Sequence, residues 1–404
     1  MLRTSPALCL LVLLPLVAGC PSREPDATRG PSIVTEVLPS ARVGVPYATT
    51  IEAEGGSPSL DFSVRALPSG FSFYLGSGRL EGVPRQPGIY ALTFAVRDAW
   101  GREAERTLPL EVAPADPVGE DDAFLDIVNW NIEWFGAPER GPHDEEAQLR
   151  GVAQVIGEEG ADIWALLEVV DPGHFDALLD RLNATSGSEW EGLLGGDPIV
   201  AGGPEVYGPD WLKPALIWRR GALKVRSAEI ILRGSRYAFG SRPPLRVDAD
   251  VTAGGVTTPI TFVVIHLAPF AEPDAHASRA AAGRALQSWL DAQPEDAEII
   301  VLGDWNDDLD ASILIPWESP FAELVAHPRH VFLTEVLSFN KVSTTVNYAE
   351  PIDHQLATAC LAKRALADGT VSTRPTLPSY GTHVSDHYPV RSRFRFSPTW
   401  HPCP

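Results

Sequence analysis

The stretch Ile299-Ile-Val-Leu-Gly-Asp-Trp-Asn-Asp307, with Asp308 after it, places carboxylates and an amide directly behind an apolar run. An unbroken run such as Ile299-Ile-Val-Leu302 fits a strand buried on both faces, and Gly303 lets the backbone turn sharply behind it. Asp304 and Asn306 then stand where a hard cation and a phosphate could be held. An acidic turn after a core strand is the plain alternative. Further polar groups close other apolar runs in the same way. Asn131 and Glu133 end one of them, and Glu168 closes Ile163-Trp-Ala-Leu-Leu167. His266 closes Ile260-Thr-Phe-Val-Val-Ile265, Asp353-His354 follows Pro351-Ile352, and Ser385-Asp386-His387 leads into Tyr388-Pro389-Val390. A carboxylate at the end of so apolar a run needs a partner, unless it emerges into solvent as strand-end Glu residues commonly do. Asp, Glu, Asn and His are the residue types that hold a hard cation and a phosphate and move protons.

The elements that must position these groups alternate along the chain. Residues 124–132 read as a strand. Residues 144–159 read as a helix, with acidic residues in the first turn, an apolar stripe at Leu149, Val152, Val155 and Ile156, and Gly160 as the stop. Residues 163–167 read as a buried strand and 274–292 as an Ala-rich helix. Strands and helices interleaved in this way predict a layered α/β or α+β fold.

The order of the polar clusters, with Gly303-Asp-Trp-Asn306 and Ser385-Asp-His387 as its most specific pieces, resembles the endonuclease/exonuclease/phosphatase superfamily over about residues 124–396. Ala215-Leu-Ile-Trp-Arg219 and Arg242-Pro-Pro-Leu245 are similar to that family's intermediate strands. The resemblance implies an α+β fold, a four-layer α/β/β/α sandwich of two mixed sheets with the site in a cleft at one edge. Carried over residue by residue, it implies that Glu168 binds Mg²⁺ or Mn²⁺, with Ca²⁺ a third candidate, supported by Asn131 and Asp386. It implies that Asp304 and Asn306 position water and phosphate. Asp353 would orient His387 as base or transition-state stabiliser, and His266 would act as general acid or phosphate ligand. Arg219, Tyr207 and His354 are candidate substrate contacts, and Glu205 is a candidate partner for His266.

Ahead of this region, residues 32–113 have an all-β texture of short strands punctuated by Gly and Pro, spaced for a β-sandwich. Val43-Gly-Val-Pro-Tyr47, Leu67-Pro-Ser-Gly-Phe71, Gly78-Arg-Leu-Glu-Gly-Val-Pro84 and Val96-Arg-Asp98 resemble a bacterial Ig-like domain family. No chemistry is evident in this segment, which predicts a spacer or a module that binds a surface partner. Residues 114–122 are a Pro-rich acidic linker, and 123–404 form the second domain.

The chain has 404 residues and a formal charge of −21, with 44% hydrophobic and 21% charged residues. That describes a globular protein with no block of Lys or Arg for coating duplex DNA. Contact with nucleic acid must be local and aided by cations. Arg3, the apolar run 7–17 and Val17-Ala-Gly-Cys20 resemble a bacterial lipoprotein signal, with residues 1–19 removed and Cys20 lipidated. An ordinary signal peptide cleaved nearby is the alternative. Residues 20–31 would then be a tether, holding a monomer in the cell envelope through its lipid alone. Cys360 and Cys403 remain as a disulfide pair or two free thiols.

The reading is a cell-surface metal-dependent phosphodiesterase acting on nucleic acid. A phosphatase or a sphingomyelinase-like phospholipid hydrolase is the alternative within the enzyme class, and an inactive surface adhesin is the alternative outside it. The lipid anchor is tested by Cys20→Ser, which should release the protein from the membrane fraction or leave it unprocessed. A wild-type protein that is wholly soluble and takes up no labelled fatty acid would end the lipoprotein reading.

Overall fold

The computed structural model describes residues 29–43, 47–57, 59–68, 71–82, 84, 86–113, 123–366, 369–398 and 403. The signal segment, Cys20 and the 114–122 linker lie outside the described residues. Among the described residues no helix is long and apolar enough to cross a membrane.

Alternation of apolar and polar residues in Glu103–Ala113 and Gly88–Arg97 makes them the long antiparallel pair of the first domain. They lie in a four-stranded sheet that faces a three-stranded one, Tyr47–Thr50, Arg79–Gly82 and Phe71–Tyr74. Leu80, Leu92, Phe94, Val96 and Leu110 fill the space between them. This is the expected all-β sandwich. Its strands Phe71–Tyr74 and Arg79–Gly82 border a cavity of about 400 Å³ shared with residues 309–339 of the second domain. Glu335 lines that cavity, and burial and then the charge of Glu81 push its carboxyl up to about 7.

The second domain is built on two six-stranded mixed sheets. In the first, Ala123–Phe135 runs parallel to Ile163–Val169 and antiparallel to Val390–Phe396. In the second, Val256–His266 runs parallel to Ile299–Asp304, which is antiparallel to Asp353–Thr358. Side chains from both sheets, among them Ile127, Leu167, Leu216, Phe262, Leu302 and Phe394, pack face to face in one core. Helices Glu145–Glu159 and Pro172–Thr185 cover the outer face of the first sheet, and Pro273–Asp291 covers that of the second. The four layers are therefore α/β/β/α.

The Glu145–Glu159 helix starts where Asp144 accepts a hydrogen bond from the Ala147 amide at 2.9 Å. It stops at Gly160, whose φ of 66° belongs to the left-handed region. Leu149, Val152, Val155 and Ile156 are buried, and each such side chain contributes roughly 1.5–3 kcal/mol. Cys360 and Cys403 are joined by a disulfide, with Cα atoms 5.7 Å apart.

Buried polar groups tie the two sheets together. Asn129 Nδ2 donates to the Gly303 carbonyl at 3.2 Å, and Gln355 Nε2 donates to Asn129 Oδ1 at 2.9 Å and reaches the Val390 carbonyl at 2.9 Å. Gly303 has φ 144°, and a Cβ there would collide with the Ile265 carbonyl of the adjacent parallel strand. Gly303→Ala should therefore destabilise the fold by roughly 2–5 kcal/mol through combined backbone strain and overpacking. A urea midpoint equal to wild type would show that the strand pair tolerates the methyl group.

Candidate active site

The carboxyl ends of the two parallel strand pairs meet at one edge of the sandwich. Ala123–Phe135 delivers Asn131, and Ile163–Val169 delivers Glu168. Across the core, His266 and Asp304 are paired in register as the last residues of their strands. The side chain of Asn131 joins the halves, because its Nδ2 donates to Glu168 Oε1 at 3.0 Å and to Asp304 Oδ2 at 3.1 Å. Glu168 Oε2 accepts from the Trp134 amide at 3.0 Å. Glu168, Asn306 and Glu133 have positive φ, at 64°, 55° and 48°. Non-glycine residues adopt that region at a cost, and such strain clusters at functional sites.

The second half of the constellation is a charged dyad. His387 Nδ1 lies 2.8 Å from Asp353 Oδ2, which also accepts from Thr344 Oγ1 at 2.7 Å. His387 Nε2 lies 3.8 Å from Asp304 Oδ2 and 3.9 Å from Asp386 Oδ1. Burial disfavours the charged ring, but Asp353 and then Asp304 outweigh it and hold the His387 pKa well above its usual value. His266 behaves in the opposite way. Burial, then the charges of Arg242 and His387, hold it well below its usual value. Its Nε2 faces Asp304 Oδ2 at 3.5 Å and Glu168 Oε1 at 3.6 Å, while its buried Nδ1 has no partner. That places the proton of the neutral ring on Nε2. One histidine is a cation and the other a neutral donor. Asp304 is raised by burial and further by Asp353 and Glu168.

Buried carboxylates this close together call for a compensating cation. Glu168 and Asp304, with Asn131 and Asp386, offer the hard oxygen donors that Mg²⁺ or Mn²⁺ prefers. One ligand atom each from Asp304, Asp353 and His387 also lies within 4.8 Å of the others. His387, protonated and bonded to Asp353, has no lone pair for a metal, so the oxygen-rich side is the better fit.

The structure thus brings together Asn131, Glu168, His266, Asp304, Asn306, Asp353, Asp386 and His387. Asn306 donates through Nδ2 to the Leu267 carbonyl at 3.2 Å, and its own amide donates to Asp304 Oδ1 at 2.9 Å. Four other candidates lie elsewhere. His354 points away from Asp353 because neighbouring residues in a strand face opposite sides. It is fully buried, with ring nitrogens 3.0 Å from Thr334 Oγ1 and from the Asp307 carbonyl. Tyr207 lies in the inter-sheet core and donates to the Pro243 carbonyl at 2.6 Å. Arg219 ends its strand at the opposite edge of the sheet, where it donates to the Gly160 carbonyl at 2.7 Å. Glu205 is exposed on a short helix, and His266 faces Glu168 and Asp304 instead.

Two contributors lacked a legible signal, and Glu133 had only its strand-end position. Glu133 accepts from the Asp386 amide at 2.9 Å, and burial and then Asp386 push its carboxyl up to about 7. Arg242 donates to the His266 and Leu267 carbonyls and carries its charge beside the site. Arg279, inside the Ala-rich helix, is fully buried. It bonds to Asp307 at 2.9 and 2.8 Å and to the Ala268 and Phe270 carbonyls, which fixes both the loop after His266 and the turn after Asp304. Only the abundance of acid in that turn hinted at a buried base.

The family described as "Endonuclease/Exonuclease/phosphatase family" matches residues 128–387, and the one described as "Putative Ig domain" matches residues 30–113. No curated protein matches the sequence significantly. Among solved structures, D. rerio TDP2 complexed with a single-strand DNA product is 15% identical, over 68% of this chain and 99% of that one, with a TM-score of 0.47. The human Nocturnin catalytic domain with bound sulfate is 19% identical over 68% and 94%, with a TM-score of 0.45. A family protein from Bacteroides thetaiotaomicron is 12% identical over 68% and 99%, with a TM-score of 0.44.

The dyad is testable in the metal-free protein. Asp353→Asn removes the anion that favours the imidazolium, so the His387 pKa should fall. An NMR titration of the His387 ring that is unmoved by the substitution would show that Asp353 does not hold its charge.

Proposed function

Because the chain belongs to the endonuclease/exonuclease/phosphatase family, whose members hydrolyse phosphate esters and typically depend on a divalent metal, we propose that it is a metal-dependent phosphodiesterase of the cell envelope that cleaves nucleic acid. The observation that carries the reading is the Asn131 amide shared between Glu168 and Asp304, with the Asp353–His387 dyad alongside. Glu168, with Asn131 and Asp386, would hold Mg²⁺ or Mn²⁺ beside Asp304. When bound, the cation supplies charge neutralisation at the phosphoryl oxygens.

The remaining work falls to the side chains. Asp304 Oδ2 takes the proton of the attacking water, and Asn306 helps to orient the phosphate. His387 presents a positive Nε2–H to the charge that builds on the phosphoryl oxygens. His266 offers its Nε2 proton to the leaving oxygen. Asp353 and Thr344 keep the His387 ring in one orientation.

Nucleic acid is favoured over other esters by a groove of about 550 Å³ beside these residues. Trp134, Trp211 and Arg140 line it, together with Arg242. The Arg140 guanidinium lies 4.4 Å from the Trp134 ring centroid, and Trp211 is 43% exposed. Aromatic faces beside a guanidinium are what unpaired bases stack on. Envelope placement is supported by the Arg3 to Cys20 signal and by the Cys360–Cys403 disulfide, which suits an oxidising compartment.

Purified protein should cleave plasmid DNA or RNA, lose that activity in EDTA and regain it with Mg²⁺ or Mn²⁺. Glu168→Gln should be partly rescued by excess metal, whereas His387→Ala should lose roughly 10²–10⁴-fold without rescue. Hydrolysis of sphingomyelin or simple phosphate monoesters with nucleic acid left intact would overturn the nuclease reading. Activity that survives EDTA, or a fully active His387→Ala, would overturn the metal-dependent mechanism.

A further inference from the structure

The groove beside the cleft is bordered by a buried lysine. Lys213 opens the strand Lys213–Arg219 and is 2% exposed. Its Nζ donates to the Val170 carbonyl at 2.7 Å, to that of Pro209 at 2.8 Å and to that of Trp211 at 3.1 Å. An ammonium has three protons, so all of its donors are spent on neutral backbone oxygens. None is left for a substrate phosphate.

Those carbonyls connect the two tryptophan walls of the groove. Val170 and Trp211 line it, as do Trp134 and Arg140. Val170 stands two residues beyond Glu168, and its amide donates to the Phe135 carbonyl at 2.8 Å. Phe135 directly follows Trp134. One peptide thus links the Lys213 ammonium on one side to the strand end that carries Trp134 on the other.

The sheet is irregular at the same level. Leu166 pairs with Ala215 and Val169 with Lys213, so Leu167 and Glu168 together face Pro214. That is a β-bulge, which re-aims a side chain, and Pro214 has no amide proton to lose from the ladder there. The residue that fastens the Trp211 loop is therefore next to the one that faces the Glu168 bulge. Within that loop the Trp211 amide closes a turn on the Gly208 carbonyl at 3.3 Å, and the Pro209 and Trp211 carbonyls both meet the buried ammonium. The Trp211 side chain is itself part of an exposed residue, at 43%, so its backbone does much to orient it.

We propose that Lys213 is a positioning residue for substrate: it fixes the Trp211 ring at a set distance from Glu168, so that the groove takes the stacked bases of an unpaired strand. This rests on the nuclease reading above. Glu168 keeps its own bonds from Asn131 and from the Trp134 amide. Loss of the lysine therefore frees the loop and leaves that carboxylate in place.

The test uses the full chain with Mg²⁺, a single-stranded oligonucleotide and methyl p-nitrophenyl phosphate, a diester without a base. Trp211→Leu should raise KM for the oligonucleotide by roughly 5–150-fold, the worth of one stacked base. Lys213→Met, which keeps the length and removes the donors, should raise it on the same scale with kcat little changed. Lys213→Gln, which keeps a shorter donor, should fall between wild type and Lys213→Met. The rise should be confined to the oligonucleotide. The two losses should not add, because Lys213 acts through Trp211. In protein labelled with 5-fluorotryptophan, the fluorine resonance missing from Trp211→Leu should shift or broaden in Lys213→Met. A wild-type KM in Trp211→Leu, additive losses, a fall in kcat with KM unmoved, or an unmoved Trp211 resonance would each overturn the proposal. A wild type that cleaves the base-free diester but no nucleic acid would overturn the nuclease reading, and the stacking role with it, leaving the fluorine shift as the mark of a structural tie alone.

Discussion

The site depends on one amide. Asn131 Nδ2 stands between Glu168 Oε1 on its own sheet and Asp304 Oδ2 on the other, within about 3 Å of each. It thereby sets how close the two carboxylates come. Burying two carboxylates costs free energy unless they are hydrogen-bonded or neutralised. Asn131 provides the first, and the donor set invites a cation to provide the second. The sheets can meet at this edge only in a register that satisfies those bonds.

The rest of the interface serves that register. Asn129, Gln355 and the Gly303 carbonyl repeat the cross-sheet bonding one layer deeper. Ser385 Oγ donates to the Asn131 carbonyl at 2.6 Å and accepts from the His387 amide at 3.0 Å, linking the dyad to the same strand. On the other side, the fully buried Arg279–Asp307 pair anchors the loops behind His266 and Asp304. A buried ion pair is weak evidence for stability, and removing one partner is strongly destabilising. Here it holds two loops in one geometry.

The environment also separates the roles of the two histidines. Both are buried and both face Asp304, yet His387 is also bonded to Asp353, whereas at His266 burial prevails and the charge of Arg242 adds to it. The same ring is thus a cation in one place and a neutral donor in the other. In the proposed hydrolysis the first would face the phosphoryl oxygens and the second would protonate the leaving oxygen.

Much of this was legible in the sequence. The apolar runs ending in Asn131, Glu168, His266 and Asp304 marked buried strands with polar ends, since a strand covered on both faces must be apolar until it emerges. The Asp144 cap and the Gly160 stop marked a helix by local chemistry alone. Tertiary structure decided the rest. The alternation along Asp353–Thr358 sends His354 into the core while Asp353 faces the cleft, and the sequence did not say which of the pair looks out. Arg219 resembled a substrate contact until the antiparallel pairing carried it to the far edge. Arg242 and Arg279 act through long-range contacts, so nothing in their neighbours announced their part in the site. Residue type and strand-end position are local properties written in the chain, whereas the facing of a side chain and the partner of a buried charge exist only once the two sheets have closed on each other.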